Sequence, residues 1–137
     1  MRLPAPIVLC CLLAFTFYPA NAQEKPQKIV LPIHATPRGN ALYVEVKLNG
    51  RPAVLIVDTG STVSLCDWKF CGKAPKGTAS LELGSWHTDS EDVRPRDLSS
   101  ISLQAGVRVD GVLGLLTMAH FRRVTFDFQH HTLELEP

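Results

Sequence analysis

Apolar and polar residues alternate along much of the chain beyond residue 27. The clearest case is 42–48, Leu-Tyr-Val-Glu-Val-Lys-Leu, which has the two-residue period of a half-buried strand. Asn49-Gly50 follows it, the strongest two-residue hairpin signal, and leads into Ala53-Val54-Leu55-Ile56-Val57. That run is apolar throughout and rich in β-branched residues, so it predicts a buried strand. It ends abruptly in Asp58-Thr59-Gly60-Ser61. A carboxylate at the end of a core strand needs a partner or a task, because burying a lone charge costs several kcal/mol or shifts its pKa until it neutralises. Gly60 permits a tight backbone reversal, and the flanking hydroxyls of Thr59 and Ser61 can hydrogen-bond around it.

The same reading covers the rest of the chain. Residues 28–34 predict a first strand, with Pro32 at an edge or interrupting the pairing. Pro37-Arg38-Gly39-Asn40 is a turn. Residues 62–65 read as a short strand, and 66–78, with Gly72, Pro75, Gly77 and three lysines, as a loop. Residues 80–86 alternate around a turn at Gly84-Ser85. The polar run 87–100 has no clear period; Val93 to Leu98, broken by Pro95, reads as an edge strand, and 99–109 as a loop or irregular strand. Val109-Asp110-Gly111-Val112-Leu113-Gly114 is a turn, an apolar pair and a glycine. Residues 115–121 have the composition and spacing of one or two helical turns, with Arg122 and Arg123 suited to the negative end of the helix dipole. Residues 124–128 and 132–135 predict a closing hairpin around Gln129-His130-His131.

Composition changes the picture at the N-terminus. Arg2, an uncharged apolar run over 7–18 and the small-x-small Ala20-Asn21-Ala22 predict a secretory signal peptide over 1–22, too short for a stable membrane anchor. A polar lead-in over 23–27 and one domain over 28–137 remain, long enough for a single core. The net charge of +1 is spread in both signs, with no basic stripe for nucleic acid. Of the four cysteines, Cys10 and Cys11 fall in the signal run. In an exported chain Cys66 and Cys71 predict a disulfide; their spacing without neighbouring His or Cys is poor for zinc. Adjacent His130 and His131 fall on opposite strand faces, and His87 and His120 have no partners at chelating spacing, so no metal or other cofactor is expected. A serine hydrolase would need a Gly-x-Ser-x-Gly elbow, which is absent.

Two segments carry a family resemblance. Leu55-Ile56-Val57-Asp58-Thr59-Gly60-Ser61, then Asp110-Gly111-Val112-Leu113-Gly114 with Phe121-Arg122-Arg123-Val124-Thr125-Phe126-Asp127, resemble the retropepsin-like aspartic proteases, in particular small exported bacterial members. The resemblance implies an all-β, closed and mostly antiparallel barrel with one short C-terminal helix. Val112, Leu113 and Gly114 would cross behind the Asp58 loop and support it. Asp58 would be the catalytic aspartate and Thr59, Gly60 and Ser61 its loop, with the Thr59 hydroxyl bonding across to a second subunit and Ser61 bonding the outer carboxylate oxygen. The chain holds one Asp-Thr-Gly; Asp67, Asp97, Asp110 and Asp127 lack its strand-to-turn context. A homodimer is therefore implied, cleaving peptide bonds through a water activated by an aspartate pair.

The chain departs from the family where active members carry a glycine-rich hairpin, the flap, over the substrate. Residues 62–78 hold no such hairpin. Gly84-Ser85 is the candidate flap tip, or else the ordinary barrel hairpin that follows a flap, in which case the flap is missing. Leu116 stands where bacterial relatives often carry an acidic residue. Asp58-Thr59-Gly60-Ser61 alone is also a common Asx-type turn. The alternative function is a catalytically weak or inactive protease-like domain that binds peptides or protein partners. Trp68, Phe70 and Trp86 are candidates for a groove lining or for core.

Overall fold

The computed structural model describes residues 27–73 and 77–137. The expected signal peptide over 1–22, most of the lead-in and residues 74–76 of the expected loop lie outside the described residues. The elements in chain order are β1 (Ile29–Pro32), β2 (His34–Ala35), β3 (Leu42–Leu48), β4 (Arg51–Val57), β5 (Ser64–Asp67), α1 (Trp68–Cys71), β6 (Gly77–Leu83), β7 (Trp86–Arg96), α2 (Ser99–Ala105), β8 (Gly111–Leu113), α3 (Leu115–Met118), β9 (Arg123–Asp127) and β10 (Thr132–Glu136).

Alternation in the sequence becomes alternation in burial. Val44, Val46 and Leu48 of β3 are buried, and Glu45 and Lys47 between them are exposed. The Asn49-Gly50 turn, with both residues at positive φ, sets the β3–β4 register with Leu48 opposite Arg51 and Tyr43 opposite Ile56. The larger sheet runs β2-β3-β4-β8-β5-β7-β6, and a β3–β6 pairing closes its six longer strands into a barrel. Most neighbours are antiparallel; β4–β8 and β5–β7 are parallel. A second sheet, β1-β10-β9, packs Ile29, Leu31, Leu133 and Leu135 into the same core as Val44, Leu55, Leu81, Leu83 and Leu113. Each such aliphatic side chain contributes about 1.5–3 kcal/mol on full burial. The fold is all-β.

Four expectations are corrected. Residues 99–105 form helix α2 instead of a loop or irregular strand: Ala105 and Leu98 pack into a second cluster with Ile56, Val109 and Val112, and Gly106 ends the helix at φ 74. The polar run from residue 86 is one long strand, because Glu91, Val93 and Pro95 turn inward while Asp92, Arg94 and Arg96 face out. Its partner on one side, β6, begins opposite Val93, so among the described residues Pro95 is paired only with β5, and its missing N–H costs no ladder bond to β6. The expected loop over 66–78 instead holds the end of β5, α1 and the start of β6. Arg122 and Arg123 do not cap α3; both pair with Glu136, at 2.9 and 3.2 Å. Pro32 is the last residue of β1, an edge strand as expected, and is paired with Thr132 instead of interrupting the pairing; β9–β10 is the expected closing hairpin.

Candidate active site

Asp58 stands one residue beyond β4, where the strand leaves the core. Its N–H donates to the carbonyl of Leu113 at 3.1 Å, which ties the start of the loop to β8. Its Oδ1 accepts the Gly60 N–H at 2.8 Å, and its carbonyl accepts the Ser61 N–H at 3.2 Å. The result is a tight Asx turn that fixes the carboxylate while leaving it exposed. A Cβ on Gly60 would lie 3.1 Å from Oδ1, so this glycine gives the carboxylate its room. Thr59 is exposed beside it. Ser61 does not reach the carboxylate: its hydroxyl donates to the carbonyl of Val63 at 2.7 Å, because the loop has already turned toward β5.

The second apolar segment pairs alongside the strand that leads to Asp58. Val112 and Leu113 run parallel to Ile56 and Val57, and Val112 also faces Leu65 of β5. Gly114 passes so close under the loop that a Cβ would fall 2.5 Å from the carbonyl oxygen of Val63 and 2.9 Å from that of Ser61. The Leu115 and Leu116 N–H groups then donate to the carbonyls of Ser61 and Thr62 at 2.8 and 3.0 Å. The Asp58 loop is thus clamped to the first turn of α3. Leu115 and Leu116 stay exposed beside it, an apolar surface next to a carboxylate.

Beneath the loop lies a polar chain that the sequence reading missed. The Gly114 N–H donates to Ser64 Oγ at 3.0 Å, Ser64 Oγ meets Thr117 Oγ1 at 2.5 Å, and Thr117 Oγ1 donates to Glu91 Oε1. Glu91 Oε2 pairs with His120 Nε2 at 3.1 Å. Ser64, Thr117 and Glu91 are all buried, and among the described residues every buried side-chain nitrogen or oxygen has a partner. Such a satisfied network rigidifies what it touches. Its only sequence signal was an i, i+3 relation between Thr117 and His120; Glu91 sat unmarked in a polar run.

Other candidates are placed elsewhere. Gly84-Ser85 is the turn between β6 and β7, and Gly84 lies against Ile29 and Leu31 of β1, with a Cβ there only 2.9 Å from Ile29 Cγ2. Cys66 and Cys71 are joined by a disulfide with Cα atoms 6.0 Å apart, linking β5 to the end of α1. Trp86 packs on Phe121 and His120, Phe70 is half-buried under the Arg51 guanidinium, and Trp68 is about one-third exposed (36%). Asp67 and Asp110 are buried at the other end of β5 and β8, tied to backbone N–H groups. No group of three or more metal-ligating side chains occurs among the described residues.

An apolar strand ending in a clamped, exposed aspartate, crossed from behind by a second apolar strand and glycine, gives a retropepsin-like fold. Among solved structures the chain resembles a retropepsin-like aspartic protease from Rickettsia conorii, with a TM-score of 0.56 and 15% identity, over 80% of this chain and 89% of that one. It also aligns with the retroviral protease-like domain of Ddi1 from Leishmania major, with a TM-score of 0.48 and 16% identity, over 69% of this chain and 87% of that one. No protein-family model and no curated protein matches the sequence.

Proposed function

We propose that the chain is an exported aspartic endopeptidase that works as a homodimer, each subunit supplying one Asp58. The observation that carries this reading is the Asp58 loop: its carboxylate is exposed, fixed by the Gly60 N–H and clamped to α3 through Gly114. The relation to the Rickettsia protease supports the chemistry at the level of fold. The exposed Leu115 and Leu116 beside the loop give a second copy an apolar surface to cover.

Two carboxyls about 3 Å apart cannot both ionise, so the pair shares one proton and titrates as a unit. The charged carboxylate takes a proton from a water as that water attacks the peptide carbonyl. The protonated carboxyl polarises the carbonyl oxygen, and the leaving amine then receives a proton. Thr59 bonds across the dimer and holds the two loops in register. The signal sequence directs the chain out of the cytoplasm, with the Cys66–Cys71 pair suited to an oxidising compartment.

A second reading, peptide binding without cleavage, is favoured by one observation. The hairpin ending at Gly84-Ser85 leans on β1, and the segment between β5 and β6 holds α1 and a disulfide. Without a cover, water exclusion and substrate positioning lose much of their contribution.

The test is cleavage of a denatured protein from acidic to neutral pH, with and without a transition-state aspartic protease inhibitor, beside Asp58→Asn. Activity lost in the variant and in the inhibited enzyme supports the peptidase. Absence of cleavage at every pH leaves the binding domain. Sedimentation should show a dimer population growing with concentration; a strict monomer rules out the shared site.

A further inference from the structure

At the other end of β4 from Asp58 an open cleft of about 830 Å³ lies between the start of that strand, α1 and α2. Arg51 and Asp58 are separated by about 23 Å of extended strand, so the cleft is distinct from the candidate active site. Its volume falls in the range of small-molecule and short-peptide sites.

The floor is built from two buried carboxylates. Asp67 accepts the Lys69 N–H at 2.8 Å and the Leu98 N–H at 2.9 Å. Asp110 accepts the Val54 N–H at 3.0 Å and is paired with Arg108 at 2.8 Å. Both are therefore committed. The cleft has four cationic side chains against these two anions, so the lining is net positive. None of the ion pairs among the described residues uses the other three cations, Arg38, Arg51 and Lys69.

Arg51 is the best prepared of the three. Its guanidinium lies 4.0 Å over the Phe70 ring, and its Nη2 donates to the Phe70 carbonyl at 2.7 Å. That fixes the plane of the guanidinium before any ligand arrives, and an arginine fork matches a carboxylate in its own plane. Arg38 is anchored by its backbone N–H to the carbonyl of Ala105, with its stem against Gly106. Phe70 and the exposed Leu103 give the same cleft apolar walls. Cations beside apolar walls fit a singly charged anion attached to an apolar group. The floor carboxylates disfavour a dianion such as a phosphate monoester.

We propose that this cleft binds the apolar, carboxylate-bearing C-terminal residue of a peptide, with Arg38 and Arg51 on the carboxylate and Phe70 and Leu103 on the side chain. The proposal does not depend on peptidase activity, so it is tested in the Asp58→Asn chain, where cleavage cannot remove the probe. The probe is fluorescein-Gly-Gly-Phe with a free carboxylate, compared by anisotropy with its C-terminal amide and with inorganic phosphate as competitor. The acid should bind about tenfold more tightly than the amide, the discrimination expected of one charge-assisted contact. Arg38→Gln and Arg51→Gln should each remove most of that difference and leave amide binding unchanged. Arg38→Gln serves if Arg51→Gln disturbs the Phe70 packing. Displacement by N-acetylphenylalanine would support the site and show that one residue is enough. Equal binding of acid and amide, no binding of either at millimolar concentration, displacement by phosphate at equal concentration, or indifference to both arginine substitutions would overturn it.

Discussion

The two ends of the barrel treat aspartate in opposite ways. At one end, Asp58 follows the last residue of β4, is exposed and accepts the N–H of Gly60. At the other, Asp67 at the end of β5 and Asp110 just before β8 sit side by side, buried, and their oxygens accept backbone N–H groups or the Arg108 guanidinium. The residue type is the same and so is the barrel. What differs is whether the acceptor capacity is already used. A saturated buried carboxylate is a structural tie: removing it orphans its donors. A fixed but exposed carboxylate keeps capacity for water, substrate or a second carboxyl.

The comparison can be broken most sharply at Asp58 itself. Asp58→Asn should lower peptidase turnover by about 10²–10⁴-fold, the usual contribution of a general acid–base group. It should leave the thermal midpoint within a degree or two, since surface changes typically stay within about 0.5 kcal/mol. A large fall in melting temperature would mean that Asp58 is a tie like the others. Asp110→Ala should do the reverse. It leaves the Val54 N–H and Arg108 without their acceptor, at a cost of about 1–3 kcal/mol for a buried orphan, read as a lower denaturant midpoint with an unchanged slope.

Reduction of Cys66–Cys71 comes next. The bridge closes a ring with a sequence separation of 5, for which loop entropy gives about 2 kcal/mol. Dithiothreitol should lower the melting temperature, and Cys66→Ala with Cys71→Ala should be insensitive to it. The smallest effect is expected at Asp127, the last residue of β9 before the hairpin turn. The His130 side chain, with its backbone N–H and that of Gln129, holds this exposed carboxyl below the ordinary carboxylate range. A depressed pKa contributes stability above the unfolded value of about 3.9, and that contribution is lost as pH falls through the folded value. Asp127→Asn should therefore be slightly less stable than the parent at neutral pH and indistinguishable from it at pH 2, by circular dichroism in urea.

The candidate site was legible in the sequence because its signals are local. An apolar strand, an Asx turn with glycine, and a second apolar pair closed by Gly114 each lie within a few residues. Their convergence was implied only by resemblance, and the β4–β8 register now places Val57 beside Leu113. The Ser61 hydroxyl turns to the Val63 carbonyl because the loop has by then bent toward β5, a path that no local pattern in the sequence records. Glu91 was not legible at all. A carboxylate in a polar run is ordinarily a solvated side chain, and its role depends on Thr117 and His120 arriving from 26 and 29 residues away.

By itself the sequence determined the strands with a clean period, the hairpin turns at Asn49-Gly50 and 129–131, and the aspartate at the end of the buried run, because periodicity, turn chemistry and the avoidance of uncompensated burial act between near neighbours. The tertiary structure decided the closure of β3 on β6, the inward face of β7, helix α2 and the cationic cleft beside it. Each of these rests on which distant surface covers a residue: Glu91 and Pro95 are inside because β5, β6 and α3 surround them, and no local pattern records that.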